Sequence, residues 1–356
     1  MDFMLDYQYQ KPFMLINASR NTETHRLWTP DFLHQEAGGV KILASDPYSN
    51  AQTGANRRAQ PQTTLSEYLD TMASADAAHM SDDEREYLFD RYHFFDNAPS
   101  LKAAFTTPTF VDYDSEFILA LGSKGTGIPL HFHTDSWLEV VAGSKQWWVY
   151  PPGTPVPFCS SLSQSTWAAN HAHEDEVATF IQNPGDVVYV PEGWYHATLN
   201  LDPYTLAVGQ QAKGSQDGGY MDTYSNIMRR IAQADRMRKG SKEFKKLIKE
   251  ANSYVEYYRE HWPLDPAMAN AVGKLQLVSS NFDAAVEAFD YALELNPELL
   301  DSLVSKSMAL YFNPDGDVSA ANLWAAQVMQ RLDELGDAPS LDPFKNQVRK
   351  IRKQYG

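Results

Sequence analysis

Up to Gly209 the chain sets short apolar runs between polar stretches punctuated by Gly and Pro, and beyond it the apolar positions recur with a helical period. Lys11 to Ile16 (KPFMLI) predicts a short buried strand. Thr29-Pro30-Asp31 predicts a helix start, with Thr29 as N-cap and Pro30 in the first turn. Val40 to Ala44 predicts a second strand, and Asp46 to Gln62, which has no periodicity, a loop. A helix opens at Thr64-Leu65-Ser66-Glu67, capped by Thr64 or Ser66. Tyr87 to Asp96 (YLFDRYHFFD) and Ser115 to Gly122 (SEFILALG) predict strands under a core, and Gly125-Thr126-Gly127 a turn. Trp147 to Tyr150 predicts a strand stopped by Pro151-Pro152; residues 153–182 read as irregular. Asp186 to Val190, Tyr195 to Leu201 and Tyr204 to Gly209 complete the β region. Short strands separated by turn signals suggest a double-sheet jelly roll or small barrel rather than alternating β-α units.

Past Gln210 the residues Lys213 to Gly219 are rich in Gly, Ser, Asp and Gln, and the rest is rich in Ala, Leu, Lys, Arg and Glu. The expected organisation is therefore α+β: a β domain with N-terminal helices over 1–211, a linker over 212–219 and an all-α domain over 220–356. Within the last, Ala267 to Glu298 fits a tetratricopeptide-like (TPR-like) unit, with Gly273 in one helix, Ala285, Phe289 and Ala292 along the next, and Pro297 closing it. Leu303 to Leu332 repeats that rhythm more weakly around Asn313-Pro314-Asp315-Gly316, and Lys242 to His261 is expected to supply a preceding helix pair. Stacked helical pairs bind another chain in a groove, pack on their own β domain or complete a dimer.

With 356 residues, 43% of them hydrophobic, the chain can bury a core in each of two domains. Its formal net charge of −16 argues against a nucleic-acid surface and leaves basic protein substrates open. No apolar run approaches the roughly eighteen residues a membrane helix needs, and the first twenty residues lack the pattern of a signal peptide. A single cysteine, Cys159, excludes an intrachain disulfide and fits a reducing compartment such as the cytoplasm or nucleus. Cys159 has no flanking base that would make it a nucleophile. Asn17-Ala18-Ser19 is a glycosylation sequon of the kind common by chance.

Two stretches carry candidate chemistry: Gly127 to Pro152 and Pro184 to Leu201. On a strand, residues two apart share a face, so His131 and His133 would present both imidazoles to one side. If the second stretch lies alongside, His196 adds a third nitrogen, and three ligands on one face leave the opposite face of a metal open. Asp135 continues the same face, so His133, Asp135 and His196 form an alternative two-histidine, one-carboxylate set. A straight strand separates His131 from Asp135 by about 13 Å, at roughly 3.3 Å per residue, so one of them is spare. A turn after His133 would let Asp135 hold an imidazole N–H instead. His171 and His173, beside Glu174, Asp175 and Glu176, offer a second His-x-His, but in a segment without strand-forming neighbours.

These stretches resemble the JmjC (jumonji-type) domain of iron(II) and 2-oxoglutarate oxygenases, in particular the subfamily of JmjC domain-containing protein 8. The shared features are G-x-P-x-H-x-H at Gly127 to His133, E-V-x-x-G-x-K-x-W-x-x-Y-P-P at Glu139 to Pro152, and G-x-V-x-Y-x-P-x-x-W-x-H-A-T-L-N-L-D at Gly185 to Asp202. The resemblance, over about residues 10 to 210, implies a double-stranded β-helix (jelly-roll, cupin) with Fe(II) at the positions of His131, His133 and His196. It implies that Lys145 binds the distal carboxylate of 2-oxoglutarate, with Asn200 orienting the keto acid or a metal water. His133 stands where most JmjC oxygenases have Asp or Glu, a departure that sliding the register to His133-x-Asp135 would remove. The hydroxyl donor that many members have three residues before the first histidine is Ile128 here, with Thr126 nearby as a displaced substitute. The implied activity is hydroxylation, or demethylation through hydroxylation, of a protein. A silent scaffold that binds partners through its helical region, and a three-histidine cupin working without 2-oxoglutarate, are the alternatives. The subfamily also implies the endoplasmic reticulum lumen as a location.

Overall fold

In the computed structural model the described residues are all except 1–6, 8–9, 43, 46–62, 75–78, 81–84, 91–93, 112, 114, 116, 153–163, 172–177, 213–218, 298, 335–341 and 356. The expected loop from Asp46 to Gln62, Cys159, His173 and most of the expected linker lie outside them, as does the side chain of His171. Two units divide the chain, Met1–Tyr150 with Leu162–Ser215, and Pro151–Ser161 with Gln216–Gly356.

The first unit runs β1 (Phe13–Leu15), α1 (Thr22–Leu27), α2 (Pro30–Ala37), β2 (Lys41–Ile42), β3 (Ala44–Ser45), β4 (Thr63–Thr64), α3 (Leu65–Ala73) and β5 (Tyr87–Asp90). It continues through α4 (Phe94–Asn97), α5 (Pro99–Ala104), β6 (Phe117–Gly122), β7 (Ser136–Ala142), β8 (Lys145–Tyr150) and α6 (Gln164–His171). β9 (Ala178–Gln182), β10 (Val187–Val190), β11 (Tyr195–Asn200) and β12 (Thr205–Gln211) complete it. A seven-stranded sheet has the order β1-β10-β7-β12-β6-β5-β3, a three-stranded sheet the order β11-β8-β9, and β2 pairs with β4. Every one of these pairings is antiparallel. This is the cupin fold, and it explains the unbroken apolar run of β6. Leu119 and Leu121 join a core with Leu33, Leu65 and Leu101 of the helices, whereas Ala120 packs with Ile128, Val140 and Ala207. Both faces of the large sheet are thus covered, so its strands do not alternate with polar residues. Trp147 and Val149 of β8 pack on Val188 and Val190 of β10, which fastens the small sheet to the large one.

Local signals fix the helix starts. The Thr29 hydroxyl accepts from the Phe32 N–H. Of the two candidates for α3, Thr64 is the cap, in a capping box with Glu67. Two expectations require correction. The Tyr87–Asp96 strand ends at Asp90, whose carboxylate accepts from the Phe94 N–H, and α4 buries Phe94 and Phe95. The stretch 153–182, expected to be irregular, contains α6 and the edge strand β9. β9 leaves Ala178, Thr179 and Ile181 exposed and buries Gln182, so it carries no apolar alternation to read.

The second unit is helical: α7 (Tyr220–Asp235), α8 (Lys242–His261), α9 (Pro266–Val278), α10 (Phe282–Leu295), α11 (Leu300–Phe312), α12 (Val318–Glu334) and α13 (Asp342–Tyr355). Ser241 and Asp265 cap α8 and α9 by accepting from Phe244 N–H and Met268 N–H. A Cβ on Gly273 would lie 2.5 Å from the Phe289 ring, so this glycine sets how closely α9 approaches α10. Ala285, Phe289 and Ala292 form the buried face of α10. Among the described residues, no helix is long and apolar enough to cross a membrane.

Candidate metal centre

β11 is the spine of the site. His196, Thr198 and Asn200 share one of its faces, and their partners across the β8 ladder are Val149, Trp147 and Lys145. On the other edge of β11 runs the segment 125–131. Gly125 N–H donates to Asn200 O, Asn200 N–H to Thr126 O and Thr198 N–H to Ile128 O, and His131 and His196 exchange both backbone bonds. Two steps along β11, from 198 to 196, therefore match three along this segment, from 128 to 131. Pro129, which has no N–H to donate, takes up the extra residue as a bulge. Gly127 permits the close approach, because a Cβ there would stand 1.9 Å from Thr198 O.

The bulge turns His131 toward His196, with ring centroids 4.2 Å apart. This corrects the expectation of one regular strand carrying both histidines. His131 sits on a single bridge pair, and His133 lies beyond it, held by the Gly193 N–H donating to its carbonyl. The three imidazoles nevertheless converge. His133 and His196 have Nε2 atoms 3.1 Å apart, and one ring nitrogen of each of the three lies within 4.8 Å of the others. His131 and His196 are buried and His133 is half-buried.

Backbone carbonyls set the tautomers. Nδ1 of His131 lies 2.8 Å from Pro129 O, Nδ1 of His133 2.6 Å from Thr134 O, and Nδ1 of His196 2.9 Å from Trp194 O. A carbonyl only accepts, so each Nδ1 carries the proton and each Nε2 presents a lone pair. Two such lone pairs 3.1 Å apart repel unless a cation lies between them. The donor set fits a divalent transition metal, for which neutral imidazole is a common ligand. It is the one such group among the described residues.

Asp135 is placed differently. Its carboxylate accepts from the Glu192 N–H at 2.7 Å and from the Tyr189 hydroxyl at 3.0 Å, and burial pushes its pKa up to about 6. It thereby fastens the Pro191–Trp194 turn, where Gly193 has φ +78°, and that turn delivers His196 to the cluster.

At the far end of the same face Lys145 is fully buried. Its Nζ donates to Asn200 Oδ1 at 2.6 Å and Tyr87 Oη at 3.0 Å, and Asn200 Nδ2 donates to Thr126 Oγ1 at 3.1 Å. The three residues expected around a co-substrate thus form one hydrogen-bonded chain. Tyr87 belongs to it as well, from an aromatic run that reads first as packing and second as a source of substrate contacts; its phenol is kept protonated by burial. Both partners of Lys145 are neutral, and burial pulls its pKa down to about 7. A carboxylate bound beside it would supply the missing counter-charge. Four residues of β11, about 13 Å at roughly 3.3 Å each, separate the two ends of the face. Trp147 and Thr198 lie between; Trp147 stacks over His196 with centroids 5.9 Å apart.

A family model described as "Cupin-like domain" matches residues 7–209. Lysine-specific demethylase JMJ21 of Arabidopsis thaliana is 25% identical over 252 residues, which cover 62% of this chain and 25% of that protein. JmjC domain-containing protein 8 of Mus musculus is 26% identical over 213 residues, 56% of this chain and 74% of that protein. 2-oxoglutarate and iron-dependent oxygenase JMJD4 of Mus musculus is 32% identical over 104 residues, 25% of this chain and 24% of that protein. The match thus spans a quarter of the length of two of these relatives and about three quarters of the third. With more than half of its length matched by the family model, over the segment that forms the two facing sheets, this chain belongs to the cupin-like domain family.

Proposed function

We propose that this protein is an iron(II)- and 2-oxoglutarate-dependent oxygenase acting on a protein substrate. One observation carries the reading: a buried lysine with neutral partners and a cluster of three imidazole lone pairs occupy opposite ends of one strand face. His131, His133 and His196 would hold the iron through Nε2. Lys145, Tyr87, Asn200 and Thr126 would hold the distal carboxylate of 2-oxoglutarate. Thr198 offers a hydroxyl midway along the face, where Ile128 has none. When bound, the metal supplies oxygen activation, for a reaction in which a substrate C–H, O2 and 2-oxoglutarate give C–OH, succinate and CO2. The chain's own part is to fix the imidazole tautomers, neutralise the keto acid and keep water off the face with Trp147 and Val149, both buried. Relatives named as a lysine-specific demethylase and as a 2-oxoglutarate and iron-dependent oxygenase support this class. In the helical unit, a groove lined by Tyr258, Val272, Glu287 and Tyr291 is where we place a protein partner.

The third imidazole, in place of a carboxylate, favours a second reading: a three-histidine cupin that needs no keto acid. Lys145 separates the two. The iron-loaded protein is expected to convert 2-oxoglutarate to succinate without substrate, and Lys145→Met to abolish this while retaining iron. An iron-loaded wild type that makes no succinate, and binds 2-oxoglutarate no better than Lys145→Met, would leave the three-histidine cupin or a silent scaffold.

A further inference from the structure

The net charge of −16 hides an asymmetry. Residues 1–215 contain 26 Asp and Glu against 12 Lys and Arg, whereas residues 229–249 contain nine Lys and Arg against two acids. That basic segment is the end of α7, the turn after it and the first half of α8. Lys242, Lys245, Lys246 and Lys249 recur at i, i+3, i+4 and i+7, so they form one stripe about 10 Å long at roughly 1.5 Å per residue. All four are exposed, while Phe244, Ala251, Val255 and Tyr258 make up the buried side of α8. Arg236, Arg238 and Lys239 extend the basic surface across the turn, where Gly240 (φ +78°) faces open space. The two acids within the segment, Asp235 and Glu243, are exposed beside it, and nine cations less two anions leave a surplus of seven positive charges. Glu250 is engaged by Arg230 at 3.1 Å and reaches Lys246 only at 3.8 Å. Lys239 donates to the neutral Ser280 hydroxyl.

We infer that the α7–α8 hairpin docks this protein on an anionic lipid surface, with the lysine stripe against the headgroups and Met237 entering the acyl boundary. Met237, between Arg236 and Arg238 at the tip of the turn, is 43% exposed. Phosphates of a nucleic acid offer nothing to an apolar side chain placed there, whereas a bilayer interface takes up both its methylenes and the flanking cations. Phe244 is the one aromatic residue between 229 and 249, and it is buried, so the patch has no exposed ring on which a base could stack. Lysines also predominate over arginines on α8, giving point charges suited to a diffuse anionic surface rather than bidentate readout. Such docking is peripheral and is independent of the metal centre.

The test is cosedimentation of the full chain with vesicles at physiological ionic strength. Phosphatidylcholine vesicles containing about one-third phosphatidylserine are expected to bind it, and pure phosphatidylcholine is not. Replacing Lys242, Lys245, Lys246 and Lys249 together by Gln should lower the partition coefficient roughly tenfold or more, since each cation near an anionic leaflet contributes a several-fold factor. Met237→Ser should lower it about threefold with the salt dependence unchanged. Replacing Arg349, Lys350, Arg352 and Lys353 of α13 by Gln should leave it within about twofold, and unchanged melting curves would show that the variants fold. Equal binding to both vesicle types, no binding to either, or an equal loss from the α13 replacement would overturn the assignment. So would a single-stranded RNA that binds the stripe, displaces the vesicles and is indifferent to Met237→Ser.

Discussion

Lys145 stands directly across the β8–β11 ladder from Asn200, and its ammonium donates a 2.6 Å hydrogen bond to the Asn200 amide oxygen. Burial places the lysine pKa at about 7, below its ordinary value of 10.5. The folded chain therefore binds fewer protons here than the unfolded chain between those two values, and this group makes stability rise with pH across that window. A bound carboxylate favours the charged ammonium and reverses the shift. Calorimetric titration with 2-oxoglutarate, at about pH 8 in buffers of different ionisation heat, is expected to show uptake approaching one proton, and affinity should fall at higher pH. Lys145→Met should remove both effects.

Asp135 holds the turn that carries His196 and is not one of the converging groups. In Asp135→Ala the Glu192 N–H and the Tyr189 hydroxyl both lose the acceptor they share. We expect a loss of about 1–3 kcal/mol in stability and roughly ten- to hundredfold in metal affinity, with one metal per chain still bound at saturation. Denaturant melts and a metal titration measure these, and a saturating stoichiometry near zero would put the carboxylate in the coordination sphere.

Gly127→Ala tests the bulge that aims His131. A methyl group there would press into the Thr198 carbonyl, so the segment 125–131 must move away from β11. Metal affinity should drop roughly tenfold or more with all three ligands intact, an effect of overpacking against backbone rather than lost chemistry. Metal titration of the variant checks it.

Much of the fold could be read in the chain because local and tertiary preferences agree there. The caps at Thr29 and Thr64 and the apolar runs of β6, β8 and β10 each mark their own element. β9 is an edge strand that exposes Ile181, buries Gln182 and packs inward through Phe180 alone, and α4 follows β5 so closely that YLFDRYHFFD reads as one strand. At the site, the histidines were legible from their spacing, and Lys145 and Asn200 only through the JmjC resemblance. The means of bringing the histidines together was not. It depends on Pro129 adding a residue opposite β11, a relation between segments more than sixty positions apart. Tyr87 could not be singled out, because an aromatic in an apolar run ordinarily signals packing ahead of substrate contact, and its hydroxyl acquires a role only once Lys145 is buried beside it. Net charge concealed the basic α7–α8 surface by summing it with the acids of the β region.

The measurement that bears most directly on the convergence of His131, His133 and His196 is metal content after anaerobic loading of metal-free protein with iron(II), beside the three single alanine variants. One iron per chain in the wild type, and essentially none in His131→Ala, His133→Ala or His196→Ala, is the expected result. A wild type that holds no iron, or any one of those variants that keeps a full equivalent, would contradict a shared three-imidazole site.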